Sequence, residues 1–284
     1  MISRRFCLPL LAGLIAVAIC ETAAASSPVW KVTDAEGGTL YLGGSVHALR
    51  KSDYPLPTAF DRAFENSARL VFEVDDDKLD AEKLRQSAQY PKGDSLKNHV
   101  DPRTYAYVTK FFGLLGVPEA KVARYRPWFL TLTLWSPSLQ GLSPELGVED
   151  RLTSRARAHH KPVSGLVTTR EHLAVFTALN ERQSEAVLLL TFIPSTNHSR
   201  PNLIEAWKRG DVETLWRQTE AEFADYPAFG ERILEARNRT WLPKIEGYLR
   251  SKQTYFVVVG AGHMGGPEGL LSLLRQRGYK IEQL

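Results

Sequence analysis

Two Gly-x-x-His segments stand more than two hundred residues apart in this chain of 284 residues. The first is Gly44-Ser45-Val46-His47, and the second is Gly260-Ala261-Gly262-His263. Each follows an apolar run typical of a buried strand, and a glycine at a strand end lets the backbone turn sharply before an imidazole is presented. We therefore expect His47 and His263 to meet only in the folded protein, beside the ends of two strands.

A carboxylate joins these imidazoles on a third predicted strand. The run 70–75 alternates, so that Glu73 and Asp75 share one face. Two imidazoles and a carboxylate are a ligand set for divalent ions such as Zn, Mn, Co or Fe, and a bound ion acidifies water and polarises a carbonyl. His47, Glu73 and His263 are thus candidate metal ligands and candidate catalytic residues for amide or ester hydrolysis. Asp75 is a candidate partner that orients a histidine, or an ordinary turn residue.

A purely structural role is the competing interpretation of these residues. His47 and His263 would then be loop histidines bonded to backbone, and Glu73 would pair with an arginine. Arg237 and Asn238 lie in a polar segment that usually forms a solvated helix face. No Gly-x-Ser-x-Gly or P-loop motif occurs, which disfavours a serine nucleophile and P-loop nucleotide chemistry. The remaining histidines lack a paired spacing: His99, His159, His160, His172 and His198.

The elements that must position these residues follow an α/β pattern. Short β-prone runs at 29–33 and 39–43 flank a loop rich in turn formers and predict a β-hairpin. The stretch 79–247 is mostly helical by its periodicity, with one helix expected over 229–249 and one short strand over 161–166. The apolar run 255–259 predicts a strand buried on both faces. The predicted fold is α/β (mixed α+β), a central mixed β-sheet from the N- and C-terminal parts with a large helical insertion.

The first 25 residues have the features of a secretory signal peptide: a basic start, a short apolar core and a small-residue cleavage site at Ala23-Ala24-Ala25. Both cysteines, Cys7 and Cys20, lie within it, so the mature chain has no thiol for a disulfide, a nucleophile or a metal site. The net charge of +4 is too small for a nucleic-acid-binding footprint. We expect a periplasmic or secreted, non-membrane-spanning protein whose residues 26–284 form a single domain.

The strand segments also resemble a known family. Leu40–His47, Leu70–Asp75 and Val258–Met264 are similar to the motifs of the TraB/PrgY/GumN family, which includes the Tiki proteases and is distantly similar to erythromycin esterase and ChaN-like proteins. Weaker similarity lies in Gly147-Val148-Glu149, in 161–166 and in Arg237-Asn238. The matches follow the family order over nearly the whole mature chain.

The resemblance implies that the two Gly-x-x-His segments and Glu73 share one cleft. In Tiki-like members such a cleft supports metal-dependent peptide hydrolysis with Mn or Co; in the esterase-like relatives histidine and glutamate act on water without a metal. Arg237 and Asn238 are then expected to line the cleft and to stabilise an oxyanion. Val167 departs from the glutamate that the family usually carries at this position.

Three functions agree with this pattern. The first is an exported, metal-dependent peptidase that uses Mn, Co or Zn. The second is a non-catalytic exported binding protein that uses the same cleft. The third is a metal-free, esterase-like hydrolase. The substrate is a peptide or a small molecule in each case.

Overall fold

The computed structural model describes residues 26–74, 81–136, 141–192 and 202–284. The predicted signal peptide, Asp75 and His198 lie outside these residues.

One mixed sheet of six strands joins the two ends of the chain and confirms the predicted fold class. Its order is β4-β3-β5-β2-β1-β6. Strands β4, β3, β5 and β2 run parallel to one another, whereas β1 is antiparallel to both β2 and β6. The strands are β1 Val29–Thr33, β2 Thr39–Ser45, β3 Arg69–Val74, β4 Val163–Val167, β5 Tyr255–Gly260 and β6 Lys280–Gln283.

The register of the parallel strands sets the two glycine segments side by side. Gly44 pairs with Val259 and Ser45 pairs with Gly260. Strand β3 flanks β5 on the other side, with Val71 opposite Val257. Because neighbouring parallel strands end at the same edge of a sheet, β2, β3 and β5 deliver their last residues to one place. That edge is where ligands bind in open α/β sheets.

Helices cover both faces of the sheet and fill the long insertion. The helices are α1 Ala59–Glu65, α2 Ala81–Ser87, α3 Pro102–Leu114, α4 Glu119–Val122, α5 Pro127–Leu134, α6 Val148–Ala158, α7 Thr169–Thr177, α8 Glu181–Leu190, α9 Leu203–Lys208, α10 Val212–Glu222, α11 Pro227–Ile233, α12 Glu235–Leu249 and α13 Leu270–Gln276. Among the described residues, no helix combines the length and the apolar character that crossing a bilayer requires.

The sheet is buried between two apolar layers. On one face, Trp241 and Ile245 of α12 pack with Leu270 of α13 against Val257 and other strand residues. On the other face, α1, α6 and α9 supply the buried side chains, and Trp207 donates its indole N–H to the carbonyl of Gly44 over 2.8 Å. This bond fixes the backbone of β2 just before its predicted catalytic end.

The predicted helix over 229–249 is two helices. The chain breaks at Leu234, whose φ of −115° and ψ of −77° leave the helical range, and α12 starts at the next residue. Arg237 and Asn238 therefore lie in the first turn of α12 rather than in the middle of one long helix. The separate start lets this turn face the carboxyl edge of the sheet, where both side chains contact His263.

Candidate active site

The structure brings the three predicted side chains to one point at the sheet edge. His47 lies two residues beyond β2, Glu73 lies one residue before the end of β3, and His263 ends the short 3-10 turn after β5. A Cβ atom built on Gly260 would lie 3.3 Å from Glu73 Oε1, 3.7 Å from His263 Cδ2 and 3.9 Å from His47 Nε2. The convergence predicted from the two Gly-x-x-His segments is therefore present in the fold.

Gly44 and Gly260, at the ends of β2 and β5, have neighbouring atoms so close that a side chain would press on them. The amide of Gly260 donates to Glu73 Oε1 over 2.8 Å, and a side chain at this position would press on the same oxygen. At Gly44 an added Cβ would lie 3.3 Å from the Cα of Ala261. A glycine at each strand end thus lets the two segments pack against each other and lets the backbone hold the carboxylate.

Glu73 forms a nearly buried ion pair with Arg237. Arg237 Nη2 donates to Glu73 Oε2, and the two side chains are 12% and 13% exposed. Burial alone would raise the pKa of Glu73, but Arg237, His263, His47 and the Gly260 amide together hold that pKa far below its ordinary value. Glu73 is therefore ionised at every pH at which the protein is expected to work.

His263 is held as a neutral imidazole of defined tautomer by Asn238. The Asn238 amide nitrogen donates to the carbonyls of His263 and Glu268, so its oxygen faces His263 Nδ1 at 2.7 Å and accepts that N–H. The Nε2 lone pair then accepts a hydrogen bond from Arg237 Nη1 over 3.3 Å, and Glu73 Oε1 lies 3.8 Å from the same nitrogen. Burial, opposed by Glu73 and reinforced by Arg237, lowers the pKa of His263 to about 3.

This arrangement gives Asn238 a role different from the expected one. Its amide N–H groups already bond two carbonyls, and its side chain is almost completely buried. It has no N–H group left to stabilise an oxyanion in the cleft, so it positions His263 instead. Of the two residues expected to stabilise an oxyanion, only Arg237 faces the cleft with its guanidinium.

His47 is paired with a carboxylate that the sequence did not single out as a site residue. Its Nδ1 lies 2.9 Å from Glu149 Oε1, and this oxygen also accepts the Ser45 hydroxyl. Glu149 raises the pKa of His47 to about 9, and His47 and Ser45 lower the pKa of Glu149 against the opposing effect of burial. His47 itself is 69% exposed, so its Nε2 faces the cleft as the donor of an imidazolium at neutral pH.

Glu149 sits in the first turn of α6, directly after Gly147 and Val148. Its second oxygen, Oε2, is buried and has no hydrogen-bond partner among the described residues. An unpaired buried carboxylate oxygen costs free energy, and such groups in native proteins commonly have a functional reason. The Gly-Val-Glu segment was the sequence signal for this residue, but only through resemblance and not through spacing.

His172 is a third histidine of the site that sequence analysis missed. It lies in the first turns of α7, and its Nδ1 accepts a hydrogen bond from Arg237 Nη2 over 3.0 Å. Burial and the adjacent guanidinium lower the pKa of His172 to about 4. A neutral ring that accepts at Nδ1 carries its proton on Nε2, which makes it a donor to the cleft. No motif marks this residue, so the sequence offered no signal for it.

Arg237 stands where a metal bound by the predicted ligands would have to lie. It donates to Glu73 Oε2, and its Nη1 is 3.3 Å from His263 Nε2, while its guanidinium stacks 4.4 Å from the centroid of Trp241. Within the described residues no group of three or more His, Cys, Asp or Glu side chains is arranged to hold a metal. The present arrangement therefore does not fit a resident Mn, Co or Zn ion, and a metal at His47, Glu73 and His263 stays a prediction that requires Arg237 to move.

Two connected cavities open onto these side chains. Volumes of about 1150 Å³ and 410 Å³ share His47, Glu73 and His172 as lining residues. Aromatic and aliphatic side chains of the helical insertion form much of the larger wall, among them Trp135, Phe176, Phe223, Leu132 and Leu190. The cleft thus combines a charged centre with an apolar surround, which is the usual character of a ligand-binding site.

Val167, the departure from the family pattern, is not a lining residue of either cavity. It ends β4, pairs with Val74 next to Glu73, and packs against the apolar layer beneath α12. This chain has no glutamate there, and Glu73 is the acidic side chain that meets Arg237.

The comparisons with known proteins identify a family and distant relatives. A family model described as the TraB/PrgY/gumN family matches residues 28–283. The chain is 22% identical over 244 residues to the uncharacterized protein YbaP of Escherichia coli (strain K12), covering 83% of this chain and 87% of the relative. It is also 22% identical over 305 residues to the metalloprotease TIKI2 of Danio rerio, covering 85% of this chain and 58% of the relative. No solved structure matches the chain significantly.

Proposed function

The chain belongs to the TraB/PrgY/gumN family, and on that premise we propose that it is a hydrolase that cleaves an amide or ester bond at the edge formed by β2, β3 and β5. The observation that carries the proposal is the convergence of Glu73, His47 and His263 on Gly260, with Arg237 bonded to Glu73. An ionised carboxylate, a neutral imidazole, an imidazolium and a guanidinium within one cleft supply an acceptor, a donor and a charge stabiliser for carbonyl hydrolysis.

The proton transfers follow from the protonation states. The attacking water gives a proton to the Glu73 carboxylate as its oxygen attacks the carbonyl carbon, and for this step Arg237 turns from Glu73 toward the oxygen that forms, because the paired carboxylate is too weak a base. Arg237 and the Nε2–H of His172 stabilise the negative oxygen that forms. The His47 imidazolium then gives its proton to the leaving nitrogen or oxygen as the bond breaks, and the proton held by Glu73 returns His47 to its starting state.

A metal-dependent peptidase is the second candidate. The similarity to a protein named metalloprotease TIKI2 favours it, and so does the tautomer of His263, whose proton is on Nδ1 so that Nε2 has the lone pair a metal needs. It requires Arg237 to leave Glu73 so that His47, Glu73 and His263 become free to bind Mn, Co or Zn. A non-catalytic binding protein is the third, and it predicts thermal stabilisation by a ligand without turnover.

Export to the periplasm or the medium belongs to the same proposal. Its support is the signal-like sequence of residues 1–25. Mass spectrometry of protein recovered from the producing cells should give a chain that begins at Ser26. An intact mass that retains Met1 would remove export from the proposal.

The experiment that tests the function is a hydrolysis screen with fluorogenic peptides and p-nitrophenyl esters, using protein purified without chelator or nickel. Glu73→Gln and the double variant His47→Ala/His263→Ala should lose at least about 100-fold in kcat/KM, because each removes a proton-transfer group. His160→Asn is the matched control, since His160 is exposed, has a φ of 51°, and follows α6 at the opposite edge of the sheet.

Metal content and EDTA separate the two mechanisms. Activity that survives EDTA in metal-free protein supports the Arg237-based site, whereas activity that requires added Mn or Co supports the metal-dependent peptidase. Full turnover in Glu73→Gln would contradict both. Thermal stabilisation by a ligand without turnover of any substrate would exclude both hydrolase mechanisms and support the third candidate, a non-catalytic binding protein.

A further inference from the structure

A separate cavity of about 670 Å³ lies within the helical insertion, and we call it the helical pocket. Helices α2, α5, α7 and α8 contribute its walls. It shares Leu84, Thr169 and Leu173 with the cavity that contains His47, Glu73 and His172. Helix α7 is the common wall, because His172 lies in the catalytic cleft while Thr169, Leu173 and Phe176 line the helical pocket. The helical pocket thus borders the catalytic cleft at Leu84, Thr169 and Leu173.

The helical pocket is largely apolar and aromatic. Trp128 and Phe176 are buried in its wall, and Leu173 and Leu179 add aliphatic surface. Tyr90 stacks on His99 with ring centroids 4.4 Å apart. Such a lining favours an aromatic or branched aliphatic group, which removes its surface from water on binding.

The charged groups of the helical pocket are unevenly compensated. His99 is held between Asp94 and Glu181, so a protonated His99 offsets one of these two carboxylates. Arg126 places its guanidinium 4.7 Å from the Tyr90 ring centroid and is only half-buried, and Arg170 is exposed on α7. Within the described part of the chain, no carboxylate forms an ion pair with Arg126 or Arg170. Both arginines therefore have guanidinium N–H groups free to bind an anion.

We propose that the helical pocket binds a carboxylate carried on an apolar group of the substrate, with Arg126 and Arg170 as its anion-binding side chains. The proposal rests on the hydrolase function proposed above and adds a substrate class to it: a chain, such as a peptide, with a carboxylate beyond the bond that is cleaved. Arginine suits this task because its planar fork binds a carboxylate through two N–H groups. The apolar wall accepts the group that carries the charge.

Three peptides test the proposal by calorimetric binding to the full chain. The first is acetyl-Leu-Phe-Phe with a free C-terminal carboxylate, the second is its C-terminal amide, and the third is acetyl-Leu-Phe-Glu amide. The free acid should bind at least about tenfold more tightly than the first amide, as expected for one charge-assisted contact. If the glutamate peptide binds equally tightly, the pocket accepts a side-chain carboxylate; if it binds like the amide, the pocket is specific for a chain end.

Variants of Arg126 and Arg170 test whether these two side chains cause the preference for the free acid over the amide. Arg126→Gln/Arg170→Gln should bind the free acid and its amide with equal affinity, and Arg170→Gln alone should lose part of the preference without affecting folding, because that side chain is exposed. Arg182→Gln is the control, since Arg182 is exposed on α8 outside the pocket. Equal affinities in the unmodified protein, no binding of the free acid, or an unchanged preference in the double variant would overturn the proposal.

Binding and turnover fail independently in this design. A protein that hydrolyses the screening substrates but does not distinguish acid from amide retains the hydrolase function and loses the pocket. A protein that distinguishes the peptides through Arg126 and Arg170 without any turnover retains the pocket and loses the hydrolase function.

Discussion

At the scale of single residues, the site consists of two carboxylate–cation pairs with different exposure. Glu73 and Arg237 form the inner pair, and both are mostly buried. Glu149 and His47 form the outer pair, in which the histidine is 69% exposed. The inner pair fixes charge at the place of reaction, and the outer pair keeps a titrating donor in contact with solvent. The two pairs thus separate the stabilisation of charge from the delivery of a proton.

The outer pair predicts the alkaline limb of the pH profile. His47 is protonated below a pKa of about 9, so kcat/KM should fall as the pH rises through that value. Glu149→Gln removes the main cause of the raised pKa and should move the limb down toward the ordinary value of 6.5. Ser45→Ala is the control, because it removes the other donor to Glu149 and keeps the ion pair. The measurement is a profile of kcat/KM between pH 5 and about 10 for each variant. If the alkaline fall of kcat/KM stays at the same pH in Glu149→Gln, His47 is not the acid.

At the scale of elements, helix α7 carries His172. The helix lies between the catalytic cleft and the helical pocket and contributes lining residues to both. Its start is fixed by a capping box: Thr168 accepts from the Glu171 amide at 3.2 Å, and the Glu171 carboxylate accepts from the Thr168 amide at 2.8 Å. His172 is the next residue after this box. The position of its Nε2–H donor therefore depends on how well the first turn of α7 is held.

Removing this cap should reduce both stability and catalysis. Thr168→Ala should lower the free energy of unfolding by about 1 kcal/mol and should also lower kcat, because His172 loses its fixed position. Asp101→Ala removes the cap of α3, where Asp101 accepts from the Arg103 amide at 2.8 Å, and α3 contributes no residue to the described cavities. The free energy of unfolding of Asp101→Ala should fall by a similar amount, and its kcat should be unchanged. Denaturant unfolding and steady-state kinetics on both variants check this, and an equal loss of kcat in the two would speak against a specific role of α7.

At the scale of the whole molecule, the buried histidines couple the site to global stability. His172 and His263 have pKa values lowered to about 4 and about 3, so the unfolded chain binds protons there below pH 6.5 while the folded chain does not. Stability should therefore fall as the pH drops from 6.5 toward 4. His47 acts in the opposite direction: its raised pKa contributes stability that is complete below 6.5 and is lost as the pH rises through about 9.

These two effects predict maximal stability near pH 6.5. Replacing His172 with Gln keeps an acceptor for Arg237 and removes one of the two acid-sensitive groups. The loss of stability between pH 6.5 and 5 should then shrink by about 1–2 kcal/mol. Urea unfolding across the pH range measures it. Equal acid sensitivity of the variant and the unmodified protein would show that His172 is already charged or exposed in the folded state.

The sequence by itself determined the strands, their ends and the three central side chains. Apolar runs, alternation and strand-end glycines depend on interactions within a few residues of each other, so Glu73, His47 and His263 could be assigned to the edge of one sheet. The break at Leu234 could not be found in this way, because the helical periodicity continues through it. Its position depends on how α12 packs on the sheet.

Only the tertiary structure decided what surrounds those three residues. Glu149 reaches His47 across 102 positions of the chain, and Arg237 reaches Glu73 across 164, through contacts that no local pattern encodes. His172 has no paired spacing and enters the site because α7 packs against β3, which brings its imidazole to Arg237 of α12. Asn238 has an amide suited to an oxyanion, but the fold bonds it to two carbonyls. Local preferences fix which residues stand at strand ends, whereas packing over long separations decides which charges meet there and in which protonation state.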